Sequence, residues 1–382
     1  TATYLIITIM IIKSLELKNY RNYKDLYLNL NRGTSLLYGD NAQGKTNILE
    51  AIYMSATAKS HRGSKDKEVI NFDEEAHIKI YIEKREVNHR IDIHLRKNHA
   101  KGIAIDGIPI RKINDLFGML NVVFFSPEDL NIIKRGPADR RRFIDMELCQ
   151  LSKIYVDNLI NYNKILAQRN KLLKDISFNV DKKELLQSLD IWDIQLIHYG
   201  SEVIKYRKDF IASLNIYIKD IHSSITGEKE SLYINYDLNI DIDQYEKAVL
   251  KTRDNDIKYK MTSVGPHRDD ISFFIKNSGK DIDLKYYGSQ GQQRTAALSL
   301  KLAEIELVKK SINDYPILLL DDVFSELDVS RQKRLIKSIK HLQTIITSTG
   351  IDDLLNKNFS IDNIMQVKEA QVSSVKELTK II

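Results

Sequence analysis

Two short stretches, far apart in the chain, contain the residues whose types and spacing could do chemistry. The first, Gly39–Thr46, reads G-D-N-A-Q-G-K-T between the apolar run Ser35–Tyr38 and a helical segment that begins at Asn47. Glycine-rich backbone before a helix offers N–H groups to a polyphosphate, and Lys45 can reach the β- and γ-phosphates. The hydroxyl of Thr46 can ligate Mg²⁺. This stretch predicts a nucleoside triphosphate site, and a chance glycine-rich turn is the weaker interpretation.

The second stretch is the apolar run Ile317–Leu320, which leads directly into Asp321 and Asp322. A buried strand that ends in an acid can deliver a carboxylate to a metal, so Asp321 and Thr46 are predicted to hold Mg²⁺ between two phosphates. Asp322 would face the γ-phosphate, where an acid can orient or deprotonate water. A capped strand end is the alternative for the two acids alone, and the phosphate loop makes it the minority interpretation.

A third motif, Ser289-Gln290-Gly291-Gln292, stands in a turn before a predicted helix at Ala296–Lys310. A serine hydroxyl, backbone N–H groups and a helix N-terminus form a second anion site. One subunit cannot easily place two phosphate cradles on one triphosphate. Two subunits related head to tail by a two-fold axis could, because each would close the other's site.

The composition is that of an ordinary globular protein. The chain has 382 residues, enough for two or three domains, and a net charge of +6 that permits nucleic acid binding without requiring it. A single cysteine, Cys149, excludes an internal disulfide and favours the cytoplasm. The apolar start of the chain is too short for a membrane span and lacks the pattern of a signal peptide. Residues 1–9 are therefore expected to be an extended or non-native N-terminus.

The periodicity of the chain predicts an α/β fold interrupted by helices. Alternating strands precede and follow the phosphate loop, and the apolar run Asn121–Phe125 suits a strand buried on both faces, so the first third is predicted to be a mixed sheet. From Asp139 to Ile221, apolar residues recur at steps of three and four with a polar break near Lys174–Lys183. This predicts an antiparallel hairpin of two helices, each about 50 Å long.

The predicted domains are an ATPase lobe in two parts, residues 10–137 and 261–382, and a helical arm lobe at 138–260.

The order of the motifs along the chain, from the phosphate loop through the helical insertion and S-Q-G-Q to the acidic strand end, resembles that of the ABC-type ATPase heads of the SMC class. Within that class, the chain resembles the RecF family of bacterial recombination and repair proteins. The resemblance extends from about residue 10 to 350 and is specific. Its motifs are K-N-Y-R-N-Y (Lys18–Tyr23), the phosphate loop with Asn47, K-S-H-R (Lys59–Arg62), F-S-P-E-D-L (Phe125–Leu130), G-P-x-x-R-R-R-F (Gly136–Phe143), G-P-H-R-D-D (Gly265–Asp270), Y-G-S-Q-G-Q-Q-R (Tyr287–Arg294) and D-D-V-F-S-E-L-D (Asp321–Asp328).

The resemblance implies an ABC-ATPase-like head with an inserted helix-hairpin lobe, acting in the cytoplasm as a DNA-binding ATPase that dimerises on ATP and separates after hydrolysis. It implies action at single-strand gaps with RecO and RecR, in support of RecA loading, replication restart and the SOS response. Asp322 stands where most ABC enzymes have glutamate, which predicts slow turnover. The preferred DNA structure and the face that meets RecR stay open.

Site residues follow from the matched motifs. The resemblance implies nucleotide binding by Gly39, Asp40, Asn41, Ala42, Gln43, Gly44, Lys45, Thr46 and Asn47, with Arg21 and Arg62 nearby, catalysis by Lys45 and Asp322, a metal on Thr46 and Asp321, a trans signature of Ser289, Gln290, Gly291 and Gln292, and a D-loop acid at Asp328. Two positions depart from the pattern. Ser126-Pro127-Glu128 replaces a metal-sensing glutamine, and Thr347-Ser348-Thr349 replaces a histidine switch.

A cluster of arginines, Arg135, Arg140, Arg141 and Arg142, is predicted to contact DNA phosphates, with an ion-paired helix start as an equal alternative. Two other functions compete with the ATP-switched dimer. One is a nucleotide-dependent scaffold for repair proteins that hydrolyses almost nothing, and the other is a small-molecule kinase. The signature and the helical arm disfavour the kinase.

Overall fold

The computed structural model describes residues 8–71, 74–178, 183–277, 279–339, 341–350 and 361–375. The chain divides into two compact units, the first formed by Thr1–Asp129 with Lys301–Ile382 and the second by Leu130–Leu300. The sequence predicted an interrupted lobe, but it placed the boundaries near 137 and 260. The end of the interruption lies later because two strands after residue 260, and the first part of the helix that follows them, belong to the second unit.

The first unit contains two six-stranded sheets where the sequence predicted one mixed sheet. Its strands are β1 (Thr8–Ile9), β2 (Ile11–Tyr20), β3 (Tyr23–Asn29), β4 (Thr34–Tyr38), β5 (Glu75–Lys84), β6 (Val87–Arg96), β7 (Gly102–Ile105), β8 (Ile108–Pro109) and β9 (Val122–Phe125). The second unit contains β10 (Ser231–Asp237), β11 (Asp270–Asn277) and β12 (Lys280–Asp283). The chain then returns to the first unit with β13 (Asp314–Tyr315), β14 (Ile317–Asp321), β15 (Thr344–Ser348), β16 (Asn363–Lys368) and β17 (Gln371–Ser374). One sheet has the order β17-β16-β4-β15-β14-β9, and the other has the order β3-β2-β5-β6-β7-β8.

Burial explains why these strands separate into two sheets. Every residue of β9 and β14 is buried, as a parallel strand covered on both faces requires, and both lie in the first sheet. In contrast, β5 alternates buried and more exposed residues along its length, which leaves one face of the antiparallel sheet accessible to solvent. A common core joins both sheets to the helix that follows the phosphate loop, α1 (Lys45–Thr57).

The remaining helices are α2 (Asp66–Val69), α3 (Leu130–Lys134), α4 (Pro137–Leu151), α5 (Lys153–Phe178), α6 (Lys183–Thr226), α7 (Ile242–Tyr259), α8 (Gln290–Ile312) and α9 (Val329–Ile339). Short 3₁₀ turns cover Ile113–Asp115, Pro127–Asp129, Pro266–Arg268 and Val323–Glu326. None of the helices in the described part of the chain is both long and apolar enough to cross a membrane.

The second unit is built on the paired helices α5 and α6. The two pack against each other along their lengths, which confirms the predicted helix hairpin, and the turn between them lies outside the described residues. Their lengths are unequal, about 39 Å for the 26 residues of α5 and about 66 Å for the 44 residues of α6. The predicted first helix is divided at Ser152, whose extended backbone ends α4. The sequence also missed α7.

A three-stranded antiparallel sheet, β10-β11-β12, completes the second unit. The amide of Asn215 on α6 donates to Ile234 O and its oxygen accepts from Ile234 N, both at 2.8 Å, so the sheet is anchored to the long helix. Because β11 pairs with this anchored strand β10 and β12 pairs with β11, these two strands do not belong to the ATPase lobe, where the sequence placed residues after 260. The first residues of α8, up to Leu300, also lie in the second unit.

Candidate nucleotide site

The phosphate loop follows β4 and leads into α1, as predicted. Two of its positions require glycine because neighbouring atoms leave no room for a side chain. At Gly39, where φ is +151°, an added Cβ would lie 2.2 Å from the carbonyl oxygen of Val367 on β16. At Gly44, where φ is +113°, it would lie 2.6 Å from Asn22 Nδ2 and 2.7 Å from the Tyr23 hydroxyl. Any larger residue at either position would displace the loop from its neighbours.

Lys45 is the first residue of α1, and its side chain is held inside the loop. The ammonium group donates to Gly39 O at 2.6 Å and to Asp40 O at 2.8 Å, and the residue is buried. Burial lowers the pKa of Lys45, while the carboxylates of Asp322, Asp321 and Asp40 oppose that shift. A partly desolvated cation surrounded by backbone carbonyls is a ready partner for a polyphosphate.

Three neighbouring strands of the parallel sheet bring the predicted metal residues together. The hydroxyl of Thr46 donates to Asp321 Oδ1 at 2.8 Å, and the hydroxyl of Thr347 donates to the same oxygen at 2.7 Å. Asp321 ends β14 and Thr347 lies near the end of β15, which runs beside both β14 and β4. The carboxyl ends of parallel strands meet at one edge of a sheet, so these side chains converge beside the loop.

The donor set formed by Thr46 and Asp321 fits Mg²⁺. Both offer hard oxygen ligands, and an ion of this kind is usually held by one or two protein oxygens together with water and substrate phosphates. The Asp321 carboxylate is nearly buried, with 8% of the residue exposed. A metal on this pair would neutralise phosphate charge.

Asp322 has a left-handed backbone, with φ at +51°, and its N–H donates to the Thr347 hydroxyl at 3.0 Å. That conformation is costly for a residue other than glycine and is often found at functional sites. Burial raises the pKa of the Asp322 carboxyl, the neighbouring Asp321 raises it further, and Lys45 opposes the rise. A carboxyl group with a raised pKa is a better proton acceptor, which suits the role in water activation predicted for it.

The sequence assigned no role to Thr347, yet it contacts both acids. It was missed because a threonine at the end of an apolar strand is a common residue with no chemical signal of its own. Its position beside the phosphate-loop strand follows only from the strand order β4-β15-β14. Thr347 is buried and links the main chain of Asp322 to the carboxylate of Asp321.

A chain of amide side chains surrounds the mouth of the loop. Asn22 donates to Gln43 O at 3.0 Å and accepts from Asn47 Nδ2 at 2.8 Å. Arg62 donates to Asn47 Oδ1 at 3.3 Å, and the Gln43 side chain accepts from the Glu369 N–H at 2.5 Å. The structure therefore brings together three predicted nucleotide-binding residues, Arg62, Gln43 and Asn47. Their neighbour Asn22 was not itself predicted as a site residue, although it lies in the motif K-N-Y-R-N-Y.

Arg21 lies beneath this surface and is committed to protein partners. Its guanidinium donates to both carboxylate oxygens of Glu50 at 2.7 Å, to Ser64 Oγ at 2.8 Å and to Glu68 O at 3.2 Å. Glu50 is fully buried on α1 and also accepts from Ser60 Oγ at 2.5 Å. The geometry gives Arg21 the role of fixing α1 against the segment before α2, and its contact with nucleotide stays a prediction.

The S-Q-G-Q motif begins α8 with a reciprocal cap. The Ser289 hydroxyl accepts from Gln292 N at 3.2 Å, and the Gln292 side chain accepts from Ser289 N at 2.9 Å. Gln292 Nε2 also donates to Glu230 at 2.8 Å. The helix starts at Gln290, six residues earlier than predicted, so Gln290 and Gly291 lie in its exposed first turn. Hence Ser289 lies at a helix N-terminus, as the sequence expected.

Asp328 lies at the start of α9, where its Oδ1 accepts the Arg331 N–H at 3.0 Å and its Oδ2 pairs with the Arg331 guanidinium.

The loop Ser126-Pro127-Glu128 stands where the family pattern has a metal-sensing glutamine. Here Ser126 N donates to Asp129 Oδ2 at 2.6 Å. Burial raises the pKa of Asp129 to about 6, although the Lys301 ammonium 3.6 Å away opposes the rise. The Asp129 carboxylate thus fixes the start of the loop that contains Ser126, Pro127 and Glu128.

The arginine cluster is divided by burial. Arg140 is only 2% exposed and forms a two-point ion pair with Asp270, at 2.6 and 2.7 Å, which matches the ion-paired helix start predicted as the equal alternative to DNA contact. A buried charge is strongly destabilising unless an opposite charge pairs with it, and this pair also fixes α4 against β11. Arg141 is half-buried and donates to Asp269 O at 2.7 Å. Arg135 and Arg142 are exposed.

This combination of sheets, phosphate loop and acidic strand end defines an ABC-type ATPase head of the SMC class. The Smc head domain from Pyrococcus furiosus shares the fold with a TM-score of 0.56 over 98% of each chain, at 17% identity. The family model described as RecF/RecN/SMC N terminal domain matches residues 11–373. A relative from Lachnospira eligens, named DNA replication and repair protein RecF, is 57% identical over 364 residues, which are 95% of this chain and 99% of the relative. The chain belongs to the RecF family.

A solved structure supports the same assignment. The recombination mediator protein RecF with ATP, described as part of the RecFOR pathway, superposes with a TM-score of 0.89 at 33% identity and covers 97% of this chain and 99% of that one. These matches confirm both the predicted fold class and the resemblance drawn from the motifs.

Proposed function

We propose that this chain is an ATP-dependent DNA-binding protein of recombinational repair, in which slow ATP hydrolysis acts as a conformational switch. The observation that carries the proposal is the convergence of Thr46, Thr347 and Asp321 Oδ1 beside the phosphate loop. That arrangement provides one half of a nucleoside triphosphate site. The relative's name and the ATP-bound family structure support ATP as the nucleotide and DNA repair as the setting.

Within this half-site, the chain's own residues divide the work. Loop N–H groups and Lys45 bind the phosphates, while Thr46 and Asp321 hold Mg²⁺, which supplies charge neutralisation when bound. Asp322 orients the attacking water and accepts its proton. Thr347 keeps Asp321 aligned with Asp322 through its two hydrogen bonds. An aspartate is one methylene shorter than the usual glutamate, so water is held less closely and turnover is slow.

The second half of the site comes from another copy of the chain. Ser289, with the exposed first turn of α8, contributes an oxygen and N–H groups to the γ-phosphate of the partner's nucleotide. Asp328 lies in the segment that follows Asp322 and is positioned by its cap on α9. Binding of ATP then favours the dimer, and hydrolysis removes the phosphate that both copies share.

By its family, the protein acts in the cytoplasm at single-strand gaps with RecO and RecR, where it promotes RecA loading, replication restart and the SOS response. The exposed Arg135 and Arg142 are proposed to contact DNA phosphates. Binding measurements on gapped, single-stranded and double-stranded DNA establish which of the three is preferred.

The test is a sizing experiment with and without ATP and Mg²⁺. The wild type is expected to be a dimer only with both, while Lys45→Ala and Ser289→Arg are expected to stay monomeric. Ser213→Arg, which adds the same side chain at an exposed position of α6, is the matched control and should dimerise. A wild-type monomer under every condition would refute the switch. A dimer that shows no DNA-stimulated turnover would favour the nucleotide-dependent scaffold instead.

A further inference from the structure

A second group of ligand side chains lies on the solvent-facing side of the antiparallel sheet, which does not carry the phosphate loop. Glu75 and His77 are two residues apart on β5, so they project from the same face. His94 on β6 is the direct cross-strand partner of His77. Three side chains that can ligate a metal therefore stand on two hydrogen-bonded strands whose register fixes their spacing.

The three ligand atoms of the group lie near one another. The imidazole rings of His77 and His94 are stacked with centroids 4.1 Å apart and planes inclined by 16°. His94 Nε2 lies 2.7 Å from Glu75 Oε2, and one ligand atom from each of the three residues lies within 4.8 Å of the others. In a tetrahedral zinc site with bonds of roughly 2.0–2.1 Å, ligand atoms are about 3.3 Å apart. Binding one ion would require the two stacked rings to turn towards each other and His94 Nε2 to exchange its contact with Glu75 for the metal.

The group is open to solvent. Glu75 and His77 are exposed and His94 is half-buried. Both histidines line a shallow cleft of about 710 Å³ on this face of the sheet, together with Lys18 and Asp92. An ion can enter from this cleft, and the position that three ligands leave free can hold water.

The donor types select the metal. Two imidazoles and one carboxylate form a set found in zinc sites and in non-haem Fe²⁺ sites, whereas Mg²⁺ and Ca²⁺ prefer oxygen ligands alone. Lys18 lies opposite His77 on β2, and Arg96 lies opposite Glu75 on β6. The positive charges of Lys18 and Arg96 disfavour a metal ion that is bound only by electrostatic attraction. A metal that binds through the lone pairs of neutral imidazole nitrogens therefore fits this site better. We propose that Glu75, His77 and His94 form a Zn²⁺ site.

The test uses untagged full-length protein, stripped of metal with EDTA and titrated with Zn²⁺ by calorimetry, and with Co²⁺ by visible absorption. The wild type is expected to bind one Zn²⁺ per chain at this site and to show the absorption of tetrahedral Co²⁺. His77→Gln and His94→Gln should each weaken Zn²⁺ binding by at least roughly 10- to 100-fold. That is the loss in metal affinity when only an outer-shell partner is removed, and each of these variants removes a direct ligand. Glu75→Gln tests the carboxylate.

The same sheet offers a matched control. His89 pairs with Asp106 at 2.8 Å, a histidine and carboxylate that gain no third ligand among the described residues, so His89→Gln should leave Zn²⁺ binding unchanged. Lys45→Ala should also bind Zn²⁺ normally, which separates this site from the nucleotide site. Absence of Zn²⁺ binding by the wild type, or binding that survives in folded His77→Gln and His94→Gln, would overturn the proposal. Circular dichroism of each variant establishes that it is folded.

Discussion

Thr347 donates a 2.7 Å hydrogen bond to the Asp321 oxygen that also accepts from Thr46. The same Thr347 oxygen accepts the N–H of Asp322 at 3.0 Å. One hydroxyl on β15 therefore orients the predicted metal carboxylate and the backbone of the predicted catalytic acid together.

Replacing Thr347 by valine removes both hydrogen bonds at nearly constant volume. We expect ATP turnover to fall by roughly 10- to 100-fold, as for the loss of other groups that orient a metal ligand. Nucleotide affinity should change much less, because the phosphate loop is untouched. Steady-state hydrolysis and equilibrium ATP binding measure the two effects. Thr347→Ser keeps the hydroxyl and should retain turnover, and wild-type rates in the valine variant would contradict this role.

Replacing Asp322 by asparagine removes the proposed proton acceptor. A loss of about 100-fold or more in single-turnover hydrolysis is expected, since general base catalysis contributes at least that much in most enzymes. The raised pKa of Asp322 predicts that the wild-type rate falls as pH is lowered through that pKa, because protonation removes the base. Bound ATP measured in parallel is the control. An unchanged single-turnover rate would rule out the assignment.

Replacing Glu50 by glutamine breaks a buried ion pair and leaves Arg21, 18% exposed at its side chain, without its carboxylate. The free energy of unfolding is expected to fall by about 3 kcal/mol, the lower end for such pairs because Arg21 is partly hydrated. Urea denaturation measures it. Glu86→Gln, at an exposed position between β5 and β6, should change stability by less than about 0.5 kcal/mol. Equal stabilities of the two variants would contradict the structural role.

His267 should make the stability of the second unit depend on pH. Its Nε2 donates to Thr262 O at 3.0 Å, and its Nδ1 lies 2.6 Å from the Tyr162 hydroxyl, which donates to it while the ring is neutral. Burial lowers the pKa of His267 to about 4. The unfolded chain therefore binds a proton more readily, and stability is expected to decline as pH falls from about 6.5 to about 4, by at most about 3 kcal/mol.

Urea denaturation at pH 7.5 and pH 5 measures this change. His267→Gln should lose part of the wild-type pH dependence, and His198→Gln, at an exposed position of α6, should keep it. If the His267 variant and the wild type lose the same stability between the two pH values, the prediction fails.

The divided arginine cluster gives a test of DNA binding. Arg135→Ala combined with Arg142→Ala should weaken DNA binding and make its salt dependence less steep, by about 0.9 in the logarithmic slope for each phosphate of duplex DNA that is no longer neutralised. Arg140→Ala should instead lower the free energy of unfolding by about 3 kcal/mol, because Asp270 is left without its partner. Fluorescence anisotropy at several salt concentrations measures the slope. A slope unchanged in the double variant would remove both exposed arginines from the DNA surface.

The sequence alone determined the phosphate loop, the acidic strand end and the helix hairpin. These features depend on local spacing: glycines at Gly39 and Gly44, an apolar run before Asp321, and apolar residues at helical steps along α5 and α6. Local backbone preferences and hydrophobic periodicity act over a few residues, so they can be recognised without knowledge of the rest of the chain.

Only the tertiary structure decided which distant residues meet. The neighbours of Asp321 depend on the order β4-β15-β14, which brings Thr46 and Thr347 to one carboxylate from positions 301 residues apart in the chain. Charge alone could not separate Arg140 from Arg142, because the two differ in burial: Arg140 is enclosed against Asp270, whereas Arg142 is exposed. Likewise, the meeting of Glu75, His77 and His94 depends on strand register, and register is set by the packing of the whole sheet.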